Sequence, residues 1–220
     1  MRSRFVAYLL GNRRCQHKIS KLIRNHRLFA DIKKPGLYLD VGCGPNARNG
    51  NINLDYHWRP GVDVCWDITK GPLPFADDYV AGIFTEHCLE HISFKSCKAV
   101  LAEFKRIIQP RGRIRVIVPD LEIYVDRYNL FRASREQSMP NAEDSIDGIY
   151  SPAMSINGIF KSHGHQFIYD FHTLKVMLDE VGFAEITKLR CGEGGNPALL
   201  FDSPERAVDS LYIEAIKPAC

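Results

Sequence analysis

The sequence lacks three features that would have placed the protein in a special class. No apolar run is long enough to cross a bilayer, and the apolar stretch at 5–10 is too short for a secretion signal and lacks a small-residue cleavage site. The seven cysteines are scattered without a Cys-x-x-Cys pair, which argues against a disulfide framework or a zinc knuckle. There is no internal repeat or low-complexity tract. We therefore expect a cytoplasmic protein with one hydrophobic core.

Positive charge is concentrated at the N-terminus. Residues 1–34 contain ten Lys or Arg and one Asp, so the rest of the chain is acidic although the whole has a net charge of +3. Apolar residues in this segment recur at helical spacing, and no aromatic residues lie between the charges as they would in a surface that binds nucleic acid. We expect residues 1–34 to form a basic helical extension and residues 35–220 to form the main domain. The extension would dock on that domain or contact an anionic membrane surface, and we expect no nucleic-acid partner.

The stretch Leu-Tyr-Leu-Asp-Val-Gly-Cys-Gly-Pro at 37–45 predicts a buried strand that ends in a tight loop. Gly42 and Gly44 allow positive φ angles and let a ligand lie against the main chain. Asp40 supplies an acceptor for a cationic or hydroxyl-bearing ligand. On its own this pattern fits an ordinary strand and turn equally well.

Later runs make the ligand loop the better interpretation. Short apolar runs at 52–55 and 62–67 also end in an acid, Asp55 and Asp67 respectively, and another run covers 80–85. Acids at the carboxyl ends of successive strands predict an open α/β sheet that binds its ligand at that edge.

Helical spacing is clearest after Ser93, which we predict to be the N-cap, and it continues to Ile108. The Pro-Arg-Gly sequence at 110–112 is expected to stop this helix. A strand at 114–118 and a helix from 121 to about 135 are predicted next.

The segment at 136–166 loses periodicity and gathers Pro, Asn, Ser, Asp and Gly. Inside a compact domain this composition predicts a functional loop or lid. Order returns with a helix from about 171 to 181, followed by strands at 183–189 and 210–216.

In order and spacing, these pieces resemble the class I S-adenosylmethionine-dependent methyltransferases over residues 36–217. The matching pieces are Leu-Asp-Val-Gly-Cys-Gly at 39–44, Asp55, Asp67-Ile68, Leu-Pro-Phe-Ala-Asp at 73–77, Glu-His-Cys-Leu-Glu-His at 86–91, Ile-Gln-Pro-Arg-Gly at 108–112, and Gly182-Phe183. The nearest resemblance is to small type 11-like methyltransferases, often linked to glycan or natural-product biosynthesis, whose late segment also reads like the Gly-His-Gln-Phe-Ile-Tyr-Asp at 164–170.

This resemblance implies a Rossmann-like, seven-stranded sheet with an antiparallel terminal hairpin. Only ten residues separate Gly44 from Asp55, so the first crossover helix is predicted to be shortened or absent.

The resemblance also implies which residues bind S-adenosylmethionine. Asp55 would accept hydrogen bonds from the ribose hydroxyls, because a carboxylate can take both. The remaining roles are as follows: Asp40, Gly42, Cys43 and Gly44 at the methionine end, Asp67 and Ile68 at the adenine, and Glu86 and His87 closing the site after the fourth strand.

The segment from His87 to His91 also matches H-x-x-E-H, a zinc-hydrolase pattern in which two imidazoles share a helix face. Such a site needs a helical context and a third ligand. The pattern here begins directly after a strand, where the methyltransferase interpretation already accounts for it. We therefore predict no metal.

His163, His165 and Asp120 are the candidate catalytic residues. Methyl transfer from a sulfonium needs a general base only when the acceptor is a weakly acidic hydroxyl, and histidine titrates in the useful range. The alternatives are ordinary loop histidines and, for Asp120, a cap on the following helix.

The predicted function is methyl transfer to a small-molecule or glycan acceptor, with a sugar hydroxyl as the best candidate. The alternatives are another acceptor, such as a quinone or a protein, or a non-catalytic cofactor-binding module that docks on a membrane.

Overall fold

Seven strands and four α-helices make up the described part of the chain. The computed structural model describes residues 37–134, 139 and 151–219. The strands are β1 Tyr38–Val41, β2 Ile52–Asp55, β3 Val64–Cys65, β4 Val80–Glu86, β5 Ile108–Pro119, β6 Ala184–Leu189 and β7 Ser210–Ile216. The helices are α1 Phe94–Ile107, α2 Leu121–Ser134, α3 Pro152–Lys161 and α4 Phe171–Glu180, with short 3₁₀ turns at Leu89–His91, Ser162–Gly164, Pro197–Leu199 and Pro204–Arg206. Among these residues, no helix combines the length and the apolar character needed to span a membrane. The predicted helical extension at 1–34 lies outside the described residues.

The strands form one mixed sheet in the order β3-β2-β1-β4-β5-β7-β6. Strands β1 to β5 are parallel to one another, while β7 is antiparallel to both β5 and β6. This arrangement confirms the predicted fold class, including the antiparallel terminal hairpin.

The first crossover contains no helix, as predicted from its length. The chain turns back after β1 because the amides of Gly42 and Cys43 both donate to the carbonyl of Leu54 on β2, at 2.8 and 3.3 Å. A further turn forms where the Asn46 amide donates to the Cys43 carbonyl. The connections from β2 to β3 and from β3 to β4 also lack helices. The carboxyl edge of β1 to β4 is therefore built from loops.

Helices α1 and α4 cover one face of the sheet. Ser93 caps α1 as predicted, since its hydroxyl accepts from the Ser96 amide. The helix ends at Ile107, one residue before the end of the predicted helical spacing, and Ile108 already pairs with Val80 as the first residue of β5. Tertiary strand pairing therefore ends the helix before the Pro-Arg-Gly sequence does.

The prediction of an irregular segment at 136–166 was wrong for its second half, which contains α3. Ile159 of α3 is buried against Tyr124 of α2 and Ile168. Only a few apolar residues of α3 are needed for this contact. Ser, Asn and Gly lie between them in the sequence, so the apolar residues do not show a clear helical spacing. The helix is stabilised by packing more than by its own propensity. Residues 135–138 and 140–150 lie outside the described part, and the role of this segment as a lid stays a prediction.

The other face of the sheet carries a row of polar and aromatic side chains. Strand register places Asp40, Phe84, Arg115 and Glu214 side by side across β1, β4, β5 and β7. The segment at 190–209, between β6 and β7, packs over this row, with Leu199 buried against Phe84. We call residues 190–209 the covering segment.

Arg115 links the covering segment to the sheet. Its side chain is fully buried, and its guanidinium binds both carboxylate oxygens of Asp202, with the Nε–Oδ1 distance at 2.7 Å. The same group donates to Glu214 at 2.9 Å and to the Glu193 carbonyl at 2.8 Å. The carboxylates in turn accept from backbone amides of the segment, Gly192 to Asp202 and Gly195 to Glu214. A buried arginine of this kind is stable only because its donors are satisfied by fixed carboxylates and carbonyls.

We predict that Arg115→Met destabilises the protein by about 3–5 kcal/mol, because it leaves Asp202 buried without its cation and Glu214 with only the more distant Arg113. Urea unfolding followed by circular dichroism measures this loss. Arg113→Met is the matched control: its side chain is partly exposed and lies 3.6 Å from Glu214, so it should cost about 0–1 kcal/mol. Equal losses in the two variants would contradict the role given to Arg115.

Candidate active site

A cavity of about 710 Å³ lies at the carboxyl edge of β1 to β4, a volume typical of small-molecule sites. All nine residues predicted to bind the cofactor line it: Asp40, Gly42, Cys43, Gly44, Asp55, Asp67, Ile68, Glu86 and His87. The parallel strand order brings them together, because the carboxyl ends of parallel strands meet at one edge of the sheet.

The two glycines after β1 serve different purposes. Gly42 has a φ of 75°, and a Cβ at this position would lie 2.6 Å from the Cys88 sulfur, so the turn passes directly against the residues that follow β4. Gly44 has a φ of 55°, and the nearest atom to a Cβ there would be 4.0 Å away. Gly42 is therefore required for packing, whereas Gly44 leaves bare backbone with open space beside it.

Asp55 joins the β1 loop to the end of β2. Its Oδ2 accepts from the Gly44 amide at 2.9 Å, and its Oδ1 accepts from the His57 amide at 2.7 Å. A carboxylate has about four lone-pair positions, so each oxygen retains capacity for another donor. The carboxylate is held rigidly and can still bind a ligand diol.

The turn after β3 forms part of the cavity wall and contains the acid Asp67. Asp67 Oδ1 accepts from the Thr69 amide at 3.0 Å and from the Thr69 hydroxyl at 2.6 Å. Trp66 and Ile68 line the same part of the cavity. Sequence reasoning missed Trp66, although its position directly before Asp67 was a usable signal.

The carboxylate of Asp40 is bound by another side chain of the protein, which the sequence did not predict. It is almost fully buried and forms an ion pair with Arg48, whose guanidinium also donates to the Phe201 carbonyl at 3.0 Å. Arg48 stacks over the Phe84 ring, with 4.5 Å between the guanidinium carbon and the ring centroid. Burial raises the pKa of Asp40 to about 6, an effect that Arg48 opposes. The main partner of Asp40 is thus Arg48, which sequence reasoning missed.

Glu86 and His87 fix the covering segment and β7 to the end of β4. Glu86 accepts from the amide and hydroxyl of Ser203, at 2.9 and 2.7 Å. The Nε2 of His87 lies 2.9 Å from the Ser210 hydroxyl. His87 has a φ of 48°, a left-handed conformation that is uncommon for this residue type and that the surrounding bonds maintain.

Two thiols in the cavity wall are unsuited to nucleophilic chemistry. Burial raises the pKa of Cys43 to about 12 and also raises the pKa of Cys88. Both are therefore protonated at neutral pH, and the thiolate is the reactive form.

The three candidate catalytic residues lie in different environments. His163 is exposed and lines the cavity. His165 lies behind it, with 5.7 Å between the ring centroids, and its Nδ1 is 2.6 Å from the Ile159 carbonyl. Asp120 is buried outside the lining of the cavity, where it accepts from the Glu122 amide at 2.9 Å and pairs with Lys188 at 3.2 Å. This geometry fits the helix cap for Asp120, so we correct its predicted catalytic role.

We predict that Arg48→Met costs more stability at pH 8 than at pH 5. The folded-state pKa of Asp40, about 6, exceeds its ordinary value of 3.8, so this carboxyl lowers stability as pH rises through that interval. Removing Arg48 raises the pKa of Asp40 further, so this carboxyl goes on lowering the stability up to a higher pH. The lost contact between Arg48 and the Phe84 ring costs the same at both pH values. Thermal melts at the two pH values measure the difference, with exposed Arg59→Met as control. A loss independent of pH would contradict this account.

Comparisons with known proteins identify the fold. No protein-family model and no curated protein matches the sequence. A S-adenosylmethionine-dependent methyltransferase from Archaeoglobus fulgidus matches over 97% of this chain and 98% of its own, at 16% identity and a TM-score of 0.51. Phosphoethanolamine N-methyltransferase 2 from Haemonchus contortus, solved in complex with S-adenosyl-L-methionine, matches 91% of this chain at 13% identity and a TM-score of 0.51. This chain spans 52% of the Haemonchus protein. These likenesses, with the strand order, show that the chain has the class I methyltransferase fold.

Proposed function

We propose that the protein is an S-adenosylmethionine-dependent methyltransferase that acts on a hydroxyl of a small-molecule or glycan acceptor. The observation that carries this proposal is the convergence of four carboxylates, from the ends of β1, β2 and β4 and the turn after β3, on one cavity. They are Asp40, Asp55, Asp67 and Glu86. Two cations in the lining, Arg48 and Arg206, leave an acidic excess that suits a cationic ligand.

The residues present fit S-adenosylmethionine. Asp55 has lone pairs available for the two ribose hydroxyls, and Asp67 beside Ile68 can receive the adenine amino group against an apolar wall. The open backbone at Gly44 suits the methionine end. The buried Asp40–Arg48 pair would then support this loop from below instead of binding the ligand directly.

The cofactor would supply a methyl group on a sulfonium sulfur. The acceptor oxygen would bond to the methyl carbon, the sulfur would leave, and the acceptor hydroxyl would release one proton. The protein's work is to place the acceptor in line and to exclude water. His163 is positioned to take the proton because it lines the cavity and is open to solvent, to which it can pass the proton on.

A polar acceptor is supported by the lining at the histidine end of the cavity. Ser93, Ser96 and Gln166 lie there with His91 and His163. Hydroxyl and amide groups of this kind can recognise several hydroxyls of one sugar. A cytoplasmic location and contact of residues 1–34 with an anionic membrane remain predictions.

We predict that Asp55→Ala weakens the binding of S-adenosylhomocysteine by about ten- to a hundredfold, because charge-assisted hydrogen bonds to the ribose are lost. Isothermal titration calorimetry measures the affinity. Asp77→Ala is the control, since Asp77 is an exposed acid outside the cavity lining. An unchanged affinity in Asp55→Ala would remove this residue from the site.

We predict that His163→Ala lowers turnover by about a hundredfold or more while leaving cofactor affinity unchanged, as expected for loss of a general base. The assay is transfer of a radiolabelled methyl group to glycan, lipid and protein fractions of a cell extract, followed by purification of the labelled acceptor. His172→Ala, an exposed histidine on α4, is the control. Full turnover in His163→Ala would contradict the base assignment, and the absence of transfer to any fraction would favour the non-catalytic binding module.

A further inference from the structure

Glu90 is a fully buried carboxylate, and neither of its oxygens has a hydrogen-bond partner among the residues that the structure describes. Within the described residues, no lysine or arginine pairs with it. Its Oε1 lies 3.4 Å from Nδ1 of His87 and 3.9 Å from Nε2 of His91. A buried charge is costly unless it is paired or coordinates a metal. Among the described residues, Glu90 therefore has no permanently charged cation beside it.

Glu90, His91 and His165 form a cluster in which the potential ligand atoms all lie within 4.8 Å of one another. Ligands of a divalent transition metal sit about 2.0–2.2 Å from the ion, and hence about 3–4 Å from each other. Side-chain movements of about 1 Å or less would bring these three atoms to that spacing.

His165 has the hydrogen bond that metal-binding histidines commonly have. Its Nδ1 lies 2.6 Å from the Ile159 carbonyl. A carbonyl only accepts, so Nδ1 carries the proton and Nε2 presents a lone pair.

The backbone holds the two parts of the cluster together. The Gln166 amide donates to the Glu90 carbonyl at 2.7 Å, and the Gln166 side chain donates to the His91 carbonyl at 2.6 Å. The ring centroids of His91 and His165 are 4.9 Å apart. These hydrogen bonds fix the stretch that follows α3 against the 3₁₀ turn at Leu89–His91.

We propose that Glu90, His91 and His165 bind one divalent transition-metal ion of the Zn²⁺, Co²⁺ or Mn²⁺ class. Two imidazoles and one carboxylate suit these ions and leave further coordination positions open. The sequence predicted no metal, and the zinc-hydrolase pattern pointed to His87. The structure instead directs Nε2 of His87 to Ser210 and brings in His165, the third ligand that the pattern lacked.

The position of the cluster suggests a use for the ion, which rests on the proposed function. His91 lines the same cavity as His163 and the cofactor residues. A hydroxyl bound to the ion loses its proton more readily. That proton passes to His163, the oxygen bonds to the methyl carbon, and the carbon–sulfur bond breaks. The products are a methyl ether, S-adenosylhomocysteine and one proton, and the ion keeps its oxidation state.

The test is titration of the full-length, chelator-treated protein with Co²⁺, followed by calorimetry and visible absorption. We expect one ion per chain, with a spectrum that lacks thiolate charge transfer. His165→Ala and Glu90→Gln should each weaken Co²⁺ binding by at least about tenfold. Loss of a residue that only hydrogen-bonds to a metal ligand already weakens binding by about ten- to a hundredfold. His172→Ala is the matched control and should bind as the unaltered protein does.

A folding control accompanies each variant. Co²⁺ should raise the melting temperature of the unaltered protein and of His172→Ala, because the ion binds the folded state. It should not raise that of His165→Ala or Glu90→Gln, and circular dichroism shows whether both variants are folded. Glu90→Gln keeps the shape of the side chain and removes its charge. If Glu90→Gln does not fold, His165→Ala provides the test.

The absence of Co²⁺ binding, or equal binding in His165→Ala, would overturn the proposal. Glu90 would then lie buried beside His87 and His91 without a bound ion. Co²⁺ binding is measured without cofactor or acceptor, so its result does not depend on whether the protein transfers methyl groups. An ion bound through His165 in a protein without transferase activity would support the site and contradict the proposed function. Transferase activity unaffected by chelation would contradict the use of the ion in catalysis.

Discussion

The buried Arg115 ion cluster is the interaction on which the rest of the structure depends. It fixes the covering segment to the middle of the sheet through Asp202 and Glu214. The same segment provides the Phe201 carbonyl to Arg48 and the Ser203 donors to Glu86. The carboxyl edge of the sheet is built from loops without crossover helices, so these bonds replace the support that such helices would give. The shape of the cavity therefore depends on charges buried between the sheet and the covering segment.

The cavity has two ends that differ in how the chain builds them. The cofactor end comes from residues 40–69, with Glu86 and His87 beside them, and each piece directly follows a parallel strand. The histidine end combines the turn after β4 with a segment that follows α3. This second end is assembled only when the two segments pack together, and the Gln166 hydrogen bonds hold them.

This difference explains what could be predicted from the sequence. Apolar runs that end in Asp55 or Asp67 carry local information, so the sheet and the position of the predicted cofactor-binding residues at its carboxyl edge followed from spacing and resemblance. Arg115 lies within an apolar strand pattern, and its partners are distant in sequence, so its burial could not be inferred. The proximity of His165 to Glu90 and His91 could not be inferred for the same reason. Helix α3 was missed because its stability comes from packing against Tyr124.

In the proposed function, the acidic cavity binds S-adenosylmethionine through the residues at the strand ends. The most direct measurement is a crystal structure of the protein grown with S-adenosylhomocysteine, the product that remains after methyl transfer. We expect the ligand in this cavity, with its ribose hydroxyls on Asp55, its adenine between Asp67 and Ile68, and its sulfur directed toward His163. A well-ordered structure with this cavity empty at saturating ligand, or with the nucleoside bound elsewhere, would contradict it.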